Sequence, residues 1–188
     1  MIKNISILNI LLIVLSLIVL WLIFGYNRLI ALKNRVEEAL SDIDAQSKRR
    51  FDLIPNLVET VKGYMQHEKT VLENITKARA ALMSAGNNLH KKAEAENMIS
   101  DALKSLFAVA ENYPQLRASE NFLRLQDELT DTENKMLASR RFYNTNVRDF
   151  NTAIQQFPTN LLAKIFGFKE FEFFETESEV REAVKVSF

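Results

Sequence analysis

The chain has two histidines, His67 and His90, and a helical protein that binds a di-iron centre needs a Glu-x-x-His pair on each of two facing helices. Three residues before these histidines stand Tyr64 and Asn87, so the pattern fails twice. The stretch "HEKTV" from His67 begins as a zinc-protease helix does, but Val71 takes the place of the second ligand histidine. Both histidines therefore read as ordinary surface or partly packed side chains. Gly25, Gly63, Gly86 and Gly167 lie too far apart to build a phosphate-cradling loop or a dinucleotide fingerprint. No cysteine occurs, which excludes a thiolate zinc site, an iron–sulfur cluster, a disulfide framework and a cysteine nucleophile. The acid pairs Glu37/Glu38 and Asp42/Asp44 carry no mark of burial, and neighbouring acids on amphipathic helices are ordinarily solvated. No catalytic residue, cofactor or metal site is nameable, and the chain reads as non-enzymatic.

Any remaining role rests on the elements. Lysine plus arginine and aspartate plus glutamate each number 24, so no long-range field draws nucleic acid to the molecule. Four glycines and three prolines are too few for a β-rich chain with many tight turns. The composition predicts an all-α protein. Ile5 to Phe24, "ISILNILLIVLSLIVLWLIF", carries no charge, and twenty helical residues span about 30 Å, the thickness of a bilayer's hydrocarbon. This stretch predicts a transmembrane anchor whose partner is the lipid bilayer; it is too long for a signal-peptide core, and no small-x-small cleavage site follows. Lys3 precedes the span while Arg28, Lys33 and Arg35 follow it, so the positive-inside bias places the C-terminal bulk in the cytoplasm, with a periplasmic placement as the alternative. The organisation expected is an anchor over 1–25, a helical bundle over 26–157, and a short helix with a Phe-rich tail over 158–188.

Apolar positions recur three and four residues apart along the soluble part, as they do in amphipathic helices. Leu29, Leu32, Val36, Leu40 and Ile43 carry a stripe straight out of the anchor. From Ile54, positions 57, 61, 64, 68, 71, 75, 78 and 82 continue as a second helix, with Glu68 its one charged intruder. "SAGNN" at 84–88 predicts the first loop. A third stripe, Leu89, Ile99, Leu103, Leu106 and Ala110, stops at "ENYPQL", where Pro114 keeps Tyr113 out of the helical conformation. The fourth seam runs Phe122, Leu125, Leu129, Thr132, Met136, Ser139, Tyr143, Val147, Phe150, Ile154 and Phe157, with a stutter around Tyr143, Ser119 as N-cap and Pro158 as a stop. Long antiparallel helices with short loops predict an up-and-down bundle. Such seams can also pair between chains, so self-association is open.

Two stretches stand out. In "RRFDLIPNLV", residues 49–58, Pro55 lacks an amide hydrogen and Asp52 can cap a helix start, which predicts a helix restarting after a bend near Arg49 and Arg50, with Arg50 and Asp52 on the surface. The competing reading makes Lys48, Arg49 and Arg50 a contact for anionic lipid or a partner. The tail from Phe157 to Phe188 holds seven of the 13 phenylalanines. Phe171 and Phe173 alternate with Glu170, Glu172 and Glu175, predicting a short extended piece after a helix of one or two turns. It is either a flap over the bundle or an exposed patch for a partner or the membrane interface.

The ordered elements "DLIPNLV", "ENYPQL", "TEN", "RRFYN", "FPTN" and "FEFFE" make the chain resemble the LemA family of bacterial membrane proteins from Tyr26 to Glu175. The resemblance implies one N-terminal membrane helix and a helical bundle in the bacterial cytoplasmic (inner) membrane. It brings no catalytic or cofactor residue with it. Some members neighbour genes for membrane metalloprotease-like and TPM-domain proteins, which implies an envelope partner of that kind. The signature positions expected to matter, as structure or as contacts, are Arg50, Asp52, Pro55, Asn56, Tyr113, Pro114, Glu133, Asn134, Arg140, Tyr143, Asn144, Phe171, Phe173 and Phe174. Polar groups beside an apolar seam mostly hydrogen-bond between helices and fix their register; ligand contact is the other reading. The function expected is a membrane-anchored scaffold for envelope proteins, with a sensor or a transporter or protease accessory signalling through the anchor as the alternative.

Overall fold

The computed structural model describes residues 7–65 and 67–174; Ile5, Ser6 and the tail from Glu175 onward lie outside the described residues. Six helices follow one another: α1 (Ile7–Lys62), α2 (Lys69–Ala85), α3 (Leu89–Ala110), α4 (Pro114–Arg117), α5 (Glu120–Gln155) and α6 (Thr159–Phe166). No strand occurs among the described residues. The fold is all-α, an antiparallel bundle built on a long apolar N-terminal helix. Roughly the first four turns of α1, through Trp21, expose every side chain, as a lipid-facing helix does.

Three sequence expectations change. First, α1 does not restart at Asp52 but runs unbroken through Pro55. Proline removes the amide that would bond the carbonyl four residues back, which here is Phe51 O. Arg79 of α2 donates to that oxygen through Nε at 3.3 Å, and its guanidinium stacks 3.8 Å from the centre of the Phe51 ring. The orphaned acceptor is thus satisfied from the neighbouring helix. Buried Arg50, Ile54 and Leu57 hold α1 on both sides of the proline. Asp52 is exposed in mid-helix, 3.7 Å from Lys48.

Second, the stripe from Ile54 to Leu82 is not one helix. The chain reverses at 63–68, where Tyr64 and Met65 amides both donate to Val61 O at 2.9 Å. Met65 is buried and Tyr64 exposed. Glu68, the charged intruder, is the N-cap residue of α2. Third, Arg140 replaces Ser139 in the α5 seam, so consecutive steps of four fall at Thr132, Met136 and Arg140 rather than around Tyr143, and Phe157 is exposed.

The other boundaries match the turn chemistry. Gly86 follows α2 with φ 53°, a conformation open to glycine, and Asn88 caps α3 by accepting from the Lys91 amide at 2.9 Å. Pro114 is the first residue of α4 with Tyr113 as its N-cap residue. Ser119 occupies the N-cap of α5 without a side-chain cap bond.

Helices α2 and α3 flank only the upper part of α1 and α5, and two apolar cores result. The distal core joins Ile54, Leu57, Val61 and Met65 to Ile75, Ile99, Leu106, Phe122 and Leu129. The anchor-proximal core joins Leu29, Val36 and Ile43 to Met136, Tyr143, Phe150, Leu162 and Phe174.

Candidate functional site

Between the two cores lies a charged layer. Along α1 the seam positions after Ile43 are Ser47 and Arg50, before apolar residues resume at Ile54. Glu96 of α3 fills the same level, and Thr132, Glu133 and Arg140 of α5 complete it. Arg50 is 1 % exposed and Glu96 fully buried. Arg50 Nη1 donates to Glu96 Oε2 at 2.9 Å, and its Nη2 pairs with Glu133 and donates to Ser100 Oγ at 3.2 Å. Ser47 donates to Glu96 Oε1. Ser100 in turn donates to the Glu133 carboxylate at 3.1 Å. Arg140 donates to Asn97 Oδ1 at 3.0 Å and lies 5.0 Å from the centre of the Phe174 ring.

Two arginines thus face two glutamates, and the layer is neutral. Burial pushes the Arg50 guanidinium below its ordinary pKa, opposed by the charge and hydrogen bond of Glu96. Burial lowers Arg140 likewise; Glu96 opposes this and Arg50 adds to it. Arginine nonetheless remains protonated in proteins. Both carboxylates are engaged by cations, which leaves neither as a free base. A cleft of about 390 Å³ bounded by Lys104, Phe107, Thr130 and Glu133 opens onto the layer.

Below this layer, the segment 168–174 lies back along α5 and covers the anchor-proximal core, to which α3 contributes only Ala93 and Leu89 at its start. Two asparagine amides hold its backbone. Asn151 donates to Phe171 O at 2.9 Å and accepts from Phe171 N at 3.0 Å. Asn144 donates to Phe174 O at 3.1 Å and accepts from Phe174 N at 2.8 Å. The spacing fits: seven helical residues rise roughly 10.5 Å and three extended residues roughly 10 Å. Between them, Tyr143 donates to Glu172 O at 2.9 Å, and burial followed by the Glu172 charge raises the Tyr143 pKa. Phe171 packs edge-on to Phe150, and Phe174 to Tyr143.

Of the positions singled out in the sequence, Arg50, Glu133 and Arg140 meet in the charged layer, and Tyr143, Asn144, Phe171 and Phe174 in the tail clasp. Arg50 is a correction: it is buried, not on the surface, because the 3–4 spacing of an unbroken α1 carries it inward. Pro55 belongs to the Arg79 contact. Tyr113 sits at the distal end, its hydroxyl 3.1 Å from Glu68, and burial followed by that hydrogen bond raises its pKa. Pro114 starts α4. Asp52, Asn56, Asn134 and Phe173 are exposed. His67 and His90 are exposed, and His90 lies 3.9 Å from Glu94. Among the described residues no group of His, Cys, Asp and Glu is arranged to hold a metal.

Sequence reasoning missed Ser47, Glu96, Asn97, Ser100, Arg79 and Asn151. A signal existed for Glu96: the third stripe jumps from Leu89 to Ile99, and steps of three and four across that gap land on 92–93 and 96.

The model of the LemA family matches residues 39–188, well over half of the sequence. The chain belongs to the LemA family. Protein LemA of Metamycoplasma hominis is 30% identical over 138 residues, covering 73% of this chain and 63% of that protein. Magnetosome protein MamQ of Magnetospirillum gryphiswaldense is 24% identical over 178 residues, covering 81% of this chain and 65% of its own length. Magnetosome protein MamQ 1 of Paramagnetospirillum magneticum is 24% identical over 179 residues, covering 82% and 66%. The chain spans a little under two thirds of the length of these curated relatives. As a LemA-family protein it combines a candidate membrane span at the start of α1 with a helical bundle.

Proposed function

We propose that this LemA-family protein is a non-enzymatic, membrane-anchored scaffold that binds other envelope proteins in the bacterial inner membrane. The observation that supports this reading is the use made of its buried polar groups: Arg50, Glu96, Glu133, Asn144 and Asn151 bond one helix to another or the tail to α5. Such bonds specify a shape. The family resemblance suggests a membrane metalloprotease-like or TPM-domain protein as partner, and the charge bias around the span favours a cytoplasmic bundle. Leu123 and Leu137, fourteen residues apart on α5 and both exposed, offer one contact stripe. Relatives named for different bacterial settings fit a structural module better than one fixed chemistry.

Photo-crosslinkers placed at Leu123 and Leu137 in native membranes, with the captured neighbours identified, test the proposal. A reproducible envelope neighbour supports it. A catalytic activity of the purified protein that disappears when one buried acid is changed overturns it.

A second reading has its own support. Because α1 is unbroken from the apolar stretch to Lys62, it can carry rotation or piston motion as a sensor or accessory module does. Two residues inserted after Phe24 change the helical phase by about 200°; a scaffold tolerates this and a transmitter does not.

A further inference from the structure

Helix α6 sits where α1 leaves the apolar stretch. Its buried side chains, Leu162 and Ala163, belong to a cluster that also packs Leu22, a residue inside that stretch. Leu162 approaches Gly25 so closely that a β-carbon there would meet it at 2.5 Å. Phe166 packs tilted against Tyr26, 4.7 Å centre to centre. The depth of α6 is therefore that of residues 22–26, the last turn of the span and the first beyond it. Trp21 and Tyr26 bracket the same level, as aromatic side chains do at membrane–water interfaces.

The other apolar side chains of α6 are exposed. Leu161 and Ile165, one turn apart, are 49% and 72% exposed, Phe157 in the preceding turn is 80% exposed, and Phe166 is 54% exposed. Lys164 stands between them and Lys169 follows, suited to reach anionic headgroups while their stems stay in the apolar layer. We infer that α6, with Phe157, is an interfacial helix whose exposed face inserts into the headgroup–acyl boundary beside the anchor, giving the bundle a second attachment to the bilayer. The occupant of this face is lipid because the span that fixes its height is itself in lipid. Helices of this kind lie in the interface plane with the apolar side a few ångströms deep.

The absence of cysteine makes the test direct. The full chain is reconstituted in phosphatidylcholine vesicles containing phosphatidylglycerol, with a nitroxide on one introduced cysteine at a time: L161C and I165C on α6, L15C in the span and S84C at an exposed loop-proximal site. Collision with oxygen is compared with collision with a water-soluble nickel complex. The expected result is an oxygen-to-nickel ratio at positions 161 and 165 several-fold above that of position 84 and below that of position 15. A ratio equal to that of position 84 overturns the inference. So does protection from both reagents, because it places protein rather than lipid over the face. Circular dichroism of each labelled chain confirms that the bundle is intact.

Discussion

Glu96 is the side chain on which three helices agree. It accepts from Ser47 and Arg50 of α1 while standing on α3, and Arg50 carries the connection on to Glu133 of α5. Removing one partner of a buried pair strands a charge, so Glu96→Ala is expected to cost about 3–5 kcal/mol, measured by chemical denaturation of the bundle in detergent. Replacing both partners, Arg50→Met with Glu96→Leu, is expected to recover part of that loss, since matched apolar residues remove the desolvation cost with the attraction while Glu133, the other carboxylate on Arg50, keeps partial access to water; the double-mutant cycle reads the difference. Tyr143 gives a pH test. Its folded pKa is raised above the ordinary 10.0, so its contribution is fully present below pH 10.0 and is lost as pH climbs through the raised value. Tyr143→Phe is therefore expected to reduce the loss of stability on alkalinisation, seen in denaturation midpoints measured from pH 8 upward. Charged seam residues are hard to read in the sequence because apolar periodicity skips over them. Ser47 and Arg50 stand at regular steps of four and three after Ile43, yet a proline five residues on made a bend look more natural than a buried arginine.

Among the elements, α1 shows how a proline is tolerated when a neighbour supplies what it removes. Arg79→Ala is expected to destabilise the bundle by about 1–2 kcal/mol, and by less when Pro55→Ala restores the intrahelical bond to Phe51 O; thermal melts of the four variants measure the coupling. The tail clasp is separable from the helices. Asn144→Ala together with Asn151→Ala removes four hydrogen bonds to the extended backbone, so amide exchange and protease cleavage at 168–174 are expected to accelerate by at least tenfold, about 1.4 kcal/mol, with helicity nearly unchanged. Helices α3 and α5, the Gly86–Asn88 turn and the two-turn α6 with its extended follower were legible from periodicity and turn residues. The reversal at 63–68 was not, because apolar spacing of three and four continues through the turn and Gly63 alone is a weak breaker. Asn144 could be flagged as a polar neighbour of the seam, but its tail partner lies thirty residues away, a distance no local pattern spans.

The two apolar cores are different neighbourhoods at the scale of the whole molecule. The distal one is closed by α2 and α3, which are local hairpin partners, whereas the anchor-proximal one needs the end of α5, α6 and the returning tail. The proposed cytoplasmic placement predicts that S84C reacts with a membrane-impermeant maleimide only after cells are opened; labelling of intact spheroplasts would place the bundle outside. That α1 is one helix also sets a length. Residues 25–62 number 38, and at 1.5 Å each they rise about 57 Å. The protein is consequently a ruler along its own axis: the Glu68–Tyr113 tip stands that far up α1 from the end of the apolar stretch, and anything that touches both ends must span the same length.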